Sequence, residues 1–359
     1  MNERDAELLD RALDLAERGR RSASPNPIVG CVIAREGRVL GEGWHVRRGE
    51  PHAERNALDD CSEPVVGATA YVSLEPCSHH GRQPPCADAL VAAGIARVIC
   101  AIGDPNPEVD GRGLARLRAA SVEVELAGGR HEARARRQNA PFRTAVVHRR
   151  PFVLLKLAAS LDGRTATSTG ESRWISSRES RRLVHDWRAE VDAVAVGSGT
   201  LLADDPELLP RDAVPPAERL PLRVVFDRRG RLRAGSRLAA TAAQAPVLRV
   251  APPGAPPPPA GVEALTADSL ADALRQLGER EVTSLLVEGG SELASALLRA
   301  GLVDALALFH APALIGGDGR QLLGPLGVTA LADAPELLET SVRASGPDML
   351  VEGLLHRLP

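Results

Sequence analysis

The sequence predicts two α/β domains in one chain, and three observations carry that reading. Its 359 residues exceed, at roughly 150 residues per domain, what one core ordinarily holds. Strand-like and helix-like patterns alternate over the first hundred residues, as in a sheet layered with helices. After a basic stretch poor in apolar periodicity, residues 129–150, the alternation restarts at Pro151. The junction is expected in that stretch, with one domain over 1–146 and the other over 147–359.

Residues 5–18 read as an amphipathic helix with Leu9, Ala12, Leu13 and Ala16 on one face and Gly19 as its stop. Strands are expected at 28–34 and 38–46, a helix from His52, a strand at 68–74, a helix through ADALVAAG and a strand through ARVICAIG. The second half opens on PFVLLKLAAS, a buried-looking strand. A helix follows from Ser176, with Glu179 three residues on at capping-box spacing. Strands are then expected through VDAVAVGS and at 221–226, 246–250, 283–288 and 303–309, with helices near 268–278 and 291–300. The run APPGAPPPPAG, residues 251–261, lacks the backbone donors a helix or central strand needs and is expected to be a solvent loop.

Composition narrows the function classes. Lys+Arg 44 against Asp+Glu 47 gives a net charge of −3, so no polycationic surface draws nucleic acid or anionic membrane. Apolar runs stay far below the ~20 residues of a membrane span, and the charged N-terminus has no signal-peptide core. A cytoplasmic protein acting on a small molecule is expected. Aromatic residues are only 2% of the chain, so Leu, Val, Ile and Ala must build the core. Lys156 is the one lysine among 44 basic residues, and it lies on a predicted buried strand. Five cysteines, an odd number without an export signal, argue for metal binding or burial over disulfides. Cys31, Cys61 and Cys100 lie in apolar contexts that suit packing.

His52-Ala53-Glu54, then Pro76-Cys77 and Cys86, form the first chemical constellation. One imidazole and two thiolates suit Zn²⁺, and three protein ligands leave the fourth tetrahedral position to water. Zinc lowers the pKa of that water toward ~7. Glu54, in the first turn of a helix, is placed to shuttle the proton, as in the H-x-E…P-C-x-x-C deaminases. Eight residues separate the two cysteines here instead of two.

The segments SPNPIVGCVI, GEGWH, GEPHAERNAL, YVSLEPCSHHGRQPPCADAL and DPNPEVDGRG, followed by LKLAASLDGRTAT, GESRWIS, GTLLADDPEL and LLVEGGSELASALL, resemble the bifunctional riboflavin-biosynthesis deaminase–reductases. The resemblance spans nearly the whole chain in the family's order. It implies a cytidine-deaminase-like α/β/α layered domain followed by a dihydrofolate-reductase-like α/β domain. The first would hydrolyse an exocyclic amine from a diaminopyrimidinone ribosylamine 5′-phosphate. The second would reduce the ribosyl group to ribityl with NADPH. By position, His52, Cys77 and Cys86 would hold zinc and Glu54 would be catalytic, while Asn26, His45, His79, Asp104 and Asn106 would line the substrate pocket. Amide, imidazole and carboxylate groups suit a pyrimidine edge and ribose hydroxyls. Asp104-Pro-Asn-Pro is a strong turn sequence in its own right.

The second half lacks G-x-G-x-x-G, but a strand ending at Glu288 runs through Gly289-Gly290 into a helix, a ready anion site. The resemblance assigns Ala158, Trp174, Thr200, Asp204, Gly290, Ser291, Glu292 and Leu293 to NADPH. It assigns Ser172, Arg188, Leu208, Arg211 and Glu288 to substrate; the two guanidinium groups suit a sugar phosphate. Lys156 is expected to be catalytic, polarising the open-chain ribose aldehyde or anchoring it beside Glu288. Leu208-Leu209-Pro210-Arg211 stands where the family commonly has Leu-Thr-Val-Arg. A homo-oligomer through the reductase domain is also implied.

Two other readings stay open at this point. The rear domain is a non-catalytic ligand-binding or dimer-forming module, or the metal is purely structural. The second requires a fourth protein ligand, for which His45, His79 and His80 are the nearby candidates.

Overall fold

The computed structural model describes residues 1–78 and 84–359. The chain divides into two compact units, Met1–His148 with Leu358–Pro359, and Arg149–Arg357.

In the first unit the elements run α1 (Glu3–Ala16), β1 (Gly30–Arg35), β2 (Arg38–Trp44), α2 (Ala53–Asp60), β3 (Thr69–Val72), α3 (Cys86–Ala92), β4 (Arg97–Cys100), α4 (Arg112–Ala119), β5 (Glu123–Leu126), α5 (Gly129–Gln138) and α6 (Ala140–His148). The strands form one sheet in the order β2-β1-β3-β4-β5. β1 pairs antiparallel with β2 and β3, and β3, β4 and β5 are parallel. Alternation along the strands sorts side chains to two faces. Cys31, Ile33, Ala70, Val72, Val98 and Cys100 pack with Ala53 and Ala57 of α2, Leu90 of α3 and Leu117 of α4. Val32, Ala34, Tyr71 and Ile99 pack on the other face with Leu9, Ala12 and Leu13 of α1 and Ala135 of α5. This is an α/β/α layered domain.

α1 begins on an Asn2–Asp5 capping box and ends at Ala16; a single 3₁₀ turn carries the chain on to Gly19. Gly41 and Gly43 let α2 lie almost against the backbone of β2. A Cβ at Gly43 would come within 2.4 Å of Ala57 N and 2.5 Å of Ala53 O. The depth of α2, and with it the position of His52 and Glu54, therefore depends on these glycines. The basic stretch 129–150, expected to hold the junction, forms α5 and α6 within the first unit up to His148. Two of its arginines meet acids of α1, Arg130 at Asp10 and Arg134 at Asp14, while Arg143 is buried.

The second unit contains β6 (Phe152–Ser160), β7 (Arg164–Ala166), α7 (Arg178–Glu190), β8 (Ala193–Gly197), α8 (Ser198–Asp204), β9 (Leu222–Phe226), α9 (Arg237–Ala240), β10 (Val247–Ala251), β11 (Glu263–Thr266), α10 (Leu270–Glu279), β12 (Ser284–Val287), α11 (Ser291–Arg299), β13 (Ala305–Ala311), β14 (Arg320–Gln321), β15 (Leu338–Ser345) and β16 (Asp348–Leu354). Nine strands form a sheet ordered β11-β10-β9-β8-β12-β6-β13-β16-β15. Its first seven members are parallel and the β15–β16 hairpin closes one edge antiparallel. Both faces are covered, one by α10 and α11 and the other by α7, α8 and α9, as a parallel sheet requires. The cap of α7 is Ser177, one residue later than expected: its Oγ accepts from Ser180 N, while the carbonyl of Ser176 accepts from Arg181. Ala251, the first residue of the proline-rich run, ends β10, and residues 252–261 form neither helix nor strand.

Candidate active sites

Two local decisions of the backbone assemble the first site. His52 is the extended N-cap of α2, and Cys86 opens α3 immediately after Pro85. Cys77 follows the end of β3, where its Sγ accepts from Cys86 N at 3.3 Å. His52 Nδ1 lies 3.6 Å from Cys77 Sγ and 3.3 Å from Cys86 Sγ, and the three ligand atoms all lie within 4.8 Å of one another. Tetrahedral zinc with its usual Zn–N and Zn–S distances holds such atoms about 3.5–3.8 Å apart. The donor set and its spacing both fit zinc. Hydrogen bonds from the Cys86 thiol and from His52 hold the Cys77 thiol well below its usual range, while that same sharing and burial push Cys86 upward.

Glu54 sits in the first turn of α2, 3% exposed. Burial first, and the neighbouring Cys77 sulfur second, push its carboxyl up to about 7, the range a proton shuttle needs at neutral pH.

His45 is buried with its ring edge-on to His52, centroids 5.3 Å apart. Its Nδ1 is 3.1 Å from the carbonyl of Pro51, which only accepts, so Nδ1 carries the proton. Nε2 therefore accepts from the Asn26 amide at 3.0 Å. Burial lowers the His45 pKa, which keeps the ring neutral. Both nitrogens are engaged, so His45 is no fourth ligand. Asp104 is buried, and burial raises it to about 6. It accepts from Asn106 N at 2.8 Å, and Asn106 Oδ1 accepts from Glu108 N at 3.1 Å. Both residues build the turn that their sequence suggested. His79 and His80 lie outside the described residues.

Sequence reasoning passed over one residue of this site. Glu75, the acid of E-P-C, is buried and accepts from four backbone amides of the segment 104–114. Its partners carry no side-chain signal, so only the fold reveals them.

The second site is a cavity of about 2130 Å³ at the ends of β6, β8, β9, β10 and β12. Single ligand pockets usually measure about 300–1,000 Å³, so this cleft has room for two ligands. Lys156 and Ala158 reach it from β6; Ser172 and Trp174 from the loop before α7; Arg188 from α7 itself. Thr200 and Asp204 of α8, Leu208 and Arg211 beyond it, Glu288, and Gly290, Ser291, Glu292 and Leu293 complete the assigned set. All of these line one cavity.

Glu288 leaves the end of β12, and Val287 is paired with Leu155 of β6, which brings Glu288 alongside Lys156. Arg188 grips Glu288 bidentately, Nε to Oε1 at 2.6 Å and Nη2 to Oε2 at 2.9 Å, and Nη1 donates to Leu209 O at 3.2 Å. The Arg188 fork, expected on a sugar phosphate, is thus turned to Glu288. Arg211 is the more available cation: its side chain is 53% exposed and meets Glu207 at 2.9 Å. Burial lowers the pKa of Lys156, opposed by Glu288.

Gly290 caps α11, and a Cβ there would lie 3.2 Å from Thr200 Oγ1. The bare helix N-terminus and the Thr200 hydroxyl together present donors suited to a cofactor phosphate. Trp174 is 69% exposed into the cleft, with the Arg181 guanidinium 4.5 Å above its ring. Asp204 ends α8 and pairs with Arg173 at 3.9 Å. Leu208 is buried in a left-handed conformation, φ 57, which fixes the start of the departing loop. His185, one helical turn before Arg188, was not anticipated; its Nδ1 donates to the same Leu209 carbonyl at 3.1 Å.

Residues 2–102 match the cytidine and deoxycytidylate deaminase zinc-binding region, and residues 151–351 match the RibD C-terminal domain. The riboflavin biosynthesis protein RibD of Escherichia coli (strain K12) is 44% identical over 360 residues, covering 96% of this chain and 98% of that protein. The RibD of Aquifex aeolicus is 37% identical, covering 98% of each. Among solved structures, form 1 of Acinetobacter baumannii RibD matches with a TM-score of 0.88 at 37% identity, over 98% of this chain and 99% of that one. The diaminohydroxyphosphoribosylaminopyrimidine deaminase/5-amino-6-(5-phosphoribosylamino)uracil reductase of Thermotoga maritima also gives 0.88, at 36% identity over 97% and 98%.

Proposed function

This chain belongs to the RibD family of bifunctional deaminase–reductases of riboflavin biosynthesis, and from that premise we propose which of its residues carry each reaction. Its cofactors are zinc in the first unit and NADPH in the second. The first reaction removes the exocyclic amine of the diaminopyrimidinone ribosylamine 5′-phosphate. The second reduces the ribosyl group, giving 5-amino-6-(5-phosphoribitylamino)uracil.

When bound, zinc would supply a water whose pKa is lowered toward ~7, and NADPH a hydride. His52, Cys77 and Cys86 hold the metal, and their convergence beside buried Glu54 is the observation that carries the reading. Glu54 takes the proton of the attacking water and passes it to the departing amine, which leaves as ammonia. Neutral His45, held by Pro51 and Asn26, forms part of the pocket wall with Asn26, Asp104 and Asn106; His79 is assigned there from the motif alone.

In the second unit Gly290, Ser291, Glu292 and Leu293, with Ala158, Trp174, Thr200 and Asp204, hold the dinucleotide. Lys156 would donate a proton to the ribosyl ring oxygen, whose bond to C1′ breaks and leaves a hydroxyl, while C1′ would take the hydride that NADPH supplies when bound. Glu288 sets its negative charge near Lys156, Arg188 fixes Glu288, and Ser172, Leu208 and Arg211 hold the substrate. Chelation tests the division of labour. Stripping zinc from the full chain is expected to abolish ammonia release and leave NADPH oxidation on the deaminated substrate intact, with zinc restoring the first. Ammonia release from metal-free protein would overturn the assignment.

We also propose a homodimer through the reductase unit. β15 is the edge of the nine-stranded sheet and is exposed nearly throughout, with Leu338 and Val342 facing solvent and Met349 exposed on β16. An exposed sheet edge of this length is ordinarily covered or blunted, and a second copy offers a matching strand with Leu338 and Val342 as its apolar contacts. Sedimentation of the full chain at micromolar concentration should give a dimer, and a Val342→Lys variant a monomer; a wild-type monomer counts against it. No helix among the described residues is long and apolar enough to cross a membrane. All five cysteines are free, which suits a reducing cytoplasm; recovery of the activity in the exported fraction would refute that location.

A further inference from the structure

We propose that Glu75 is a positioning residue for deamination: its carboxylate fixes the substrate-facing loop, residues 104–114, against the strand end that leads into the metal ligand Cys77. This rests on the deaminase reading above and names the device that aligns its two halves. Glu75 Oε2 accepts from Asp104 N at 3.3 Å and Gly111 N at 3.1 Å. Oε1 accepts from Gly113 N at 3.0 Å and Leu114 N at 3.3 Å. An ionised carboxyl offers about four lone-pair sites, and all four are filled by amides of one segment.

The segment is shaped to deliver those amides. Gly111 adopts φ 78 as the N-cap of α4, and Gly113 and Leu114 lie in that helix's first turn. Their N–H groups have no partner within the helix, so Glu75 meets donors that need an acceptor and a dipole that favours a negative charge. Gly113 is also pressed against the E-P-C turn, where a Cβ would lie 1.9 Å from Pro76 O. On the other side, Glu75 N donates to Ile102 O at 3.0 Å, which ties the residue to the end of β4. A chain of two residues therefore joins the acceptor of Asp104 N to a zinc ligand. Displacing this acceptor moves Asp104 and Asn106 with respect to the metal without touching either ligand or shuttle.

Glu75→Gln keeps the side-chain size and turns one acceptor oxygen into an NH₂ that faces N–H donors. In the full chain loaded with zinc, hydrogen exchange at the amides of Asp104, Gly111, Gly113 and Leu114 is expected to accelerate. The deaminase KM is expected to rise on the order of tenfold, the scale of one unsatisfied buried hydrogen bond, with kcat less affected. Zinc content and NADPH oxidation by the second unit are expected to stay at wild-type level. Glu75→Asp, which keeps the charge on a shorter arm, is expected to fall between the two. Unchanged KM with retained zinc overturns the proposal, and so does loss of zinc, which would place the role of Glu75 in the ligand loop. If Glu75→Gln loses the reductase as well and so fails to fold, the Glu75→Asp KM decides in the same way. Wild-type protein assayed alongside separates the failures. If it holds zinc and does not deaminate, the deaminase reading falls and takes this inference with it.

Discussion

Replacing Glu54 with Gln is expected to leave zinc bound and to slow ammonia release by on the order of 10³-fold or more, while NADPH oxidation in the same protein is unchanged. The size follows from what is removed. A positioned proton shuttle contributes roughly 10²–10⁴-fold, and here it must both accept the proton of water and deliver it to the amine. Gln keeps the volume and the place in the first turn of α2, where Glu54 is buried, but it cannot change protonation state. Burial of the carboxyl favours its taking up a proton. His52 keeps its position, because α2 is set by its contact with Gly41 and Gly43 and not by Glu54, and Cys77 and Cys86 lie outside α2, after β3 and at the start of α3. Zinc content and ammonia production, measured on one preparation, check this. A variant that keeps zinc and deaminates at the wild-type rate would make the metal structural.

The elements that sequence patterns located are those with a buried stripe. Leu9, Ala12, Leu13 and Ala16 of α1 are fully buried, and their spacing announces it. β6 apart from Lys156 and the terminal Ser160, and β12 after Ser284, read as apolar runs without alternation because helices cover both sides of their sheet. Where burial does not write a pattern, the elements were missed. β15 is exposed along nearly its whole length, so LETSVRAS carries no alternation. α5 buries only His131, Ala135 and Gln138, two of them polar, and reads as a basic linker. Ser177 displaced Ser176 as the cap of α7 because two serines stand in tandem, and local sequence does not choose between them.

The chemistry followed a similar division. His52, Glu54, Cys77 and Cys86 were legible because metal chemistry restricts residue types at fixed places. Asp104 and Asn106 had two readings, turn or ligand, and the hydrogen bonds show the turn role at work. Arg188 looked like a free phosphate clamp, since a guanidinium in a sequence does not disclose its partner. The structure supplies that partner 100 residues downstream, at Glu288. Glu75 and His185 were silent for a related reason: each acts on backbone groups, which every residue has.

Lys156→Met is expected to lower the reductase kcat by roughly 10²–10³-fold, within the range of a lost proton donor, while NADPH affinity and ammonia release stay as in wild type. Methionine matches the length and hydrophobicity of the lysine stem, so β6 keeps its place between β12 and β13. Lys156→Arg is not expected to rescue the rate, because a guanidinium does not give up its proton at working pH. The second variant of the pair fixes the mechanism through pH. Burial lowers the Lys156 pKa and Glu288 opposes it. Removing the charge in Glu288→Gln therefore lets burial, joined by repulsion from Arg188, depress the lysine further. The ammonium is then lost at lower pH, and the alkaline limb of the kcat profile moves to the acid side. If Lys156 were only an anchor for bound substrate, Lys156→Met would raise KM at nearly constant kcat and the alkaline limb would not move in Glu288→Gln. Steady-state NADPH oxidation across pH, with cofactor binding followed separately by titration, distinguishes the two.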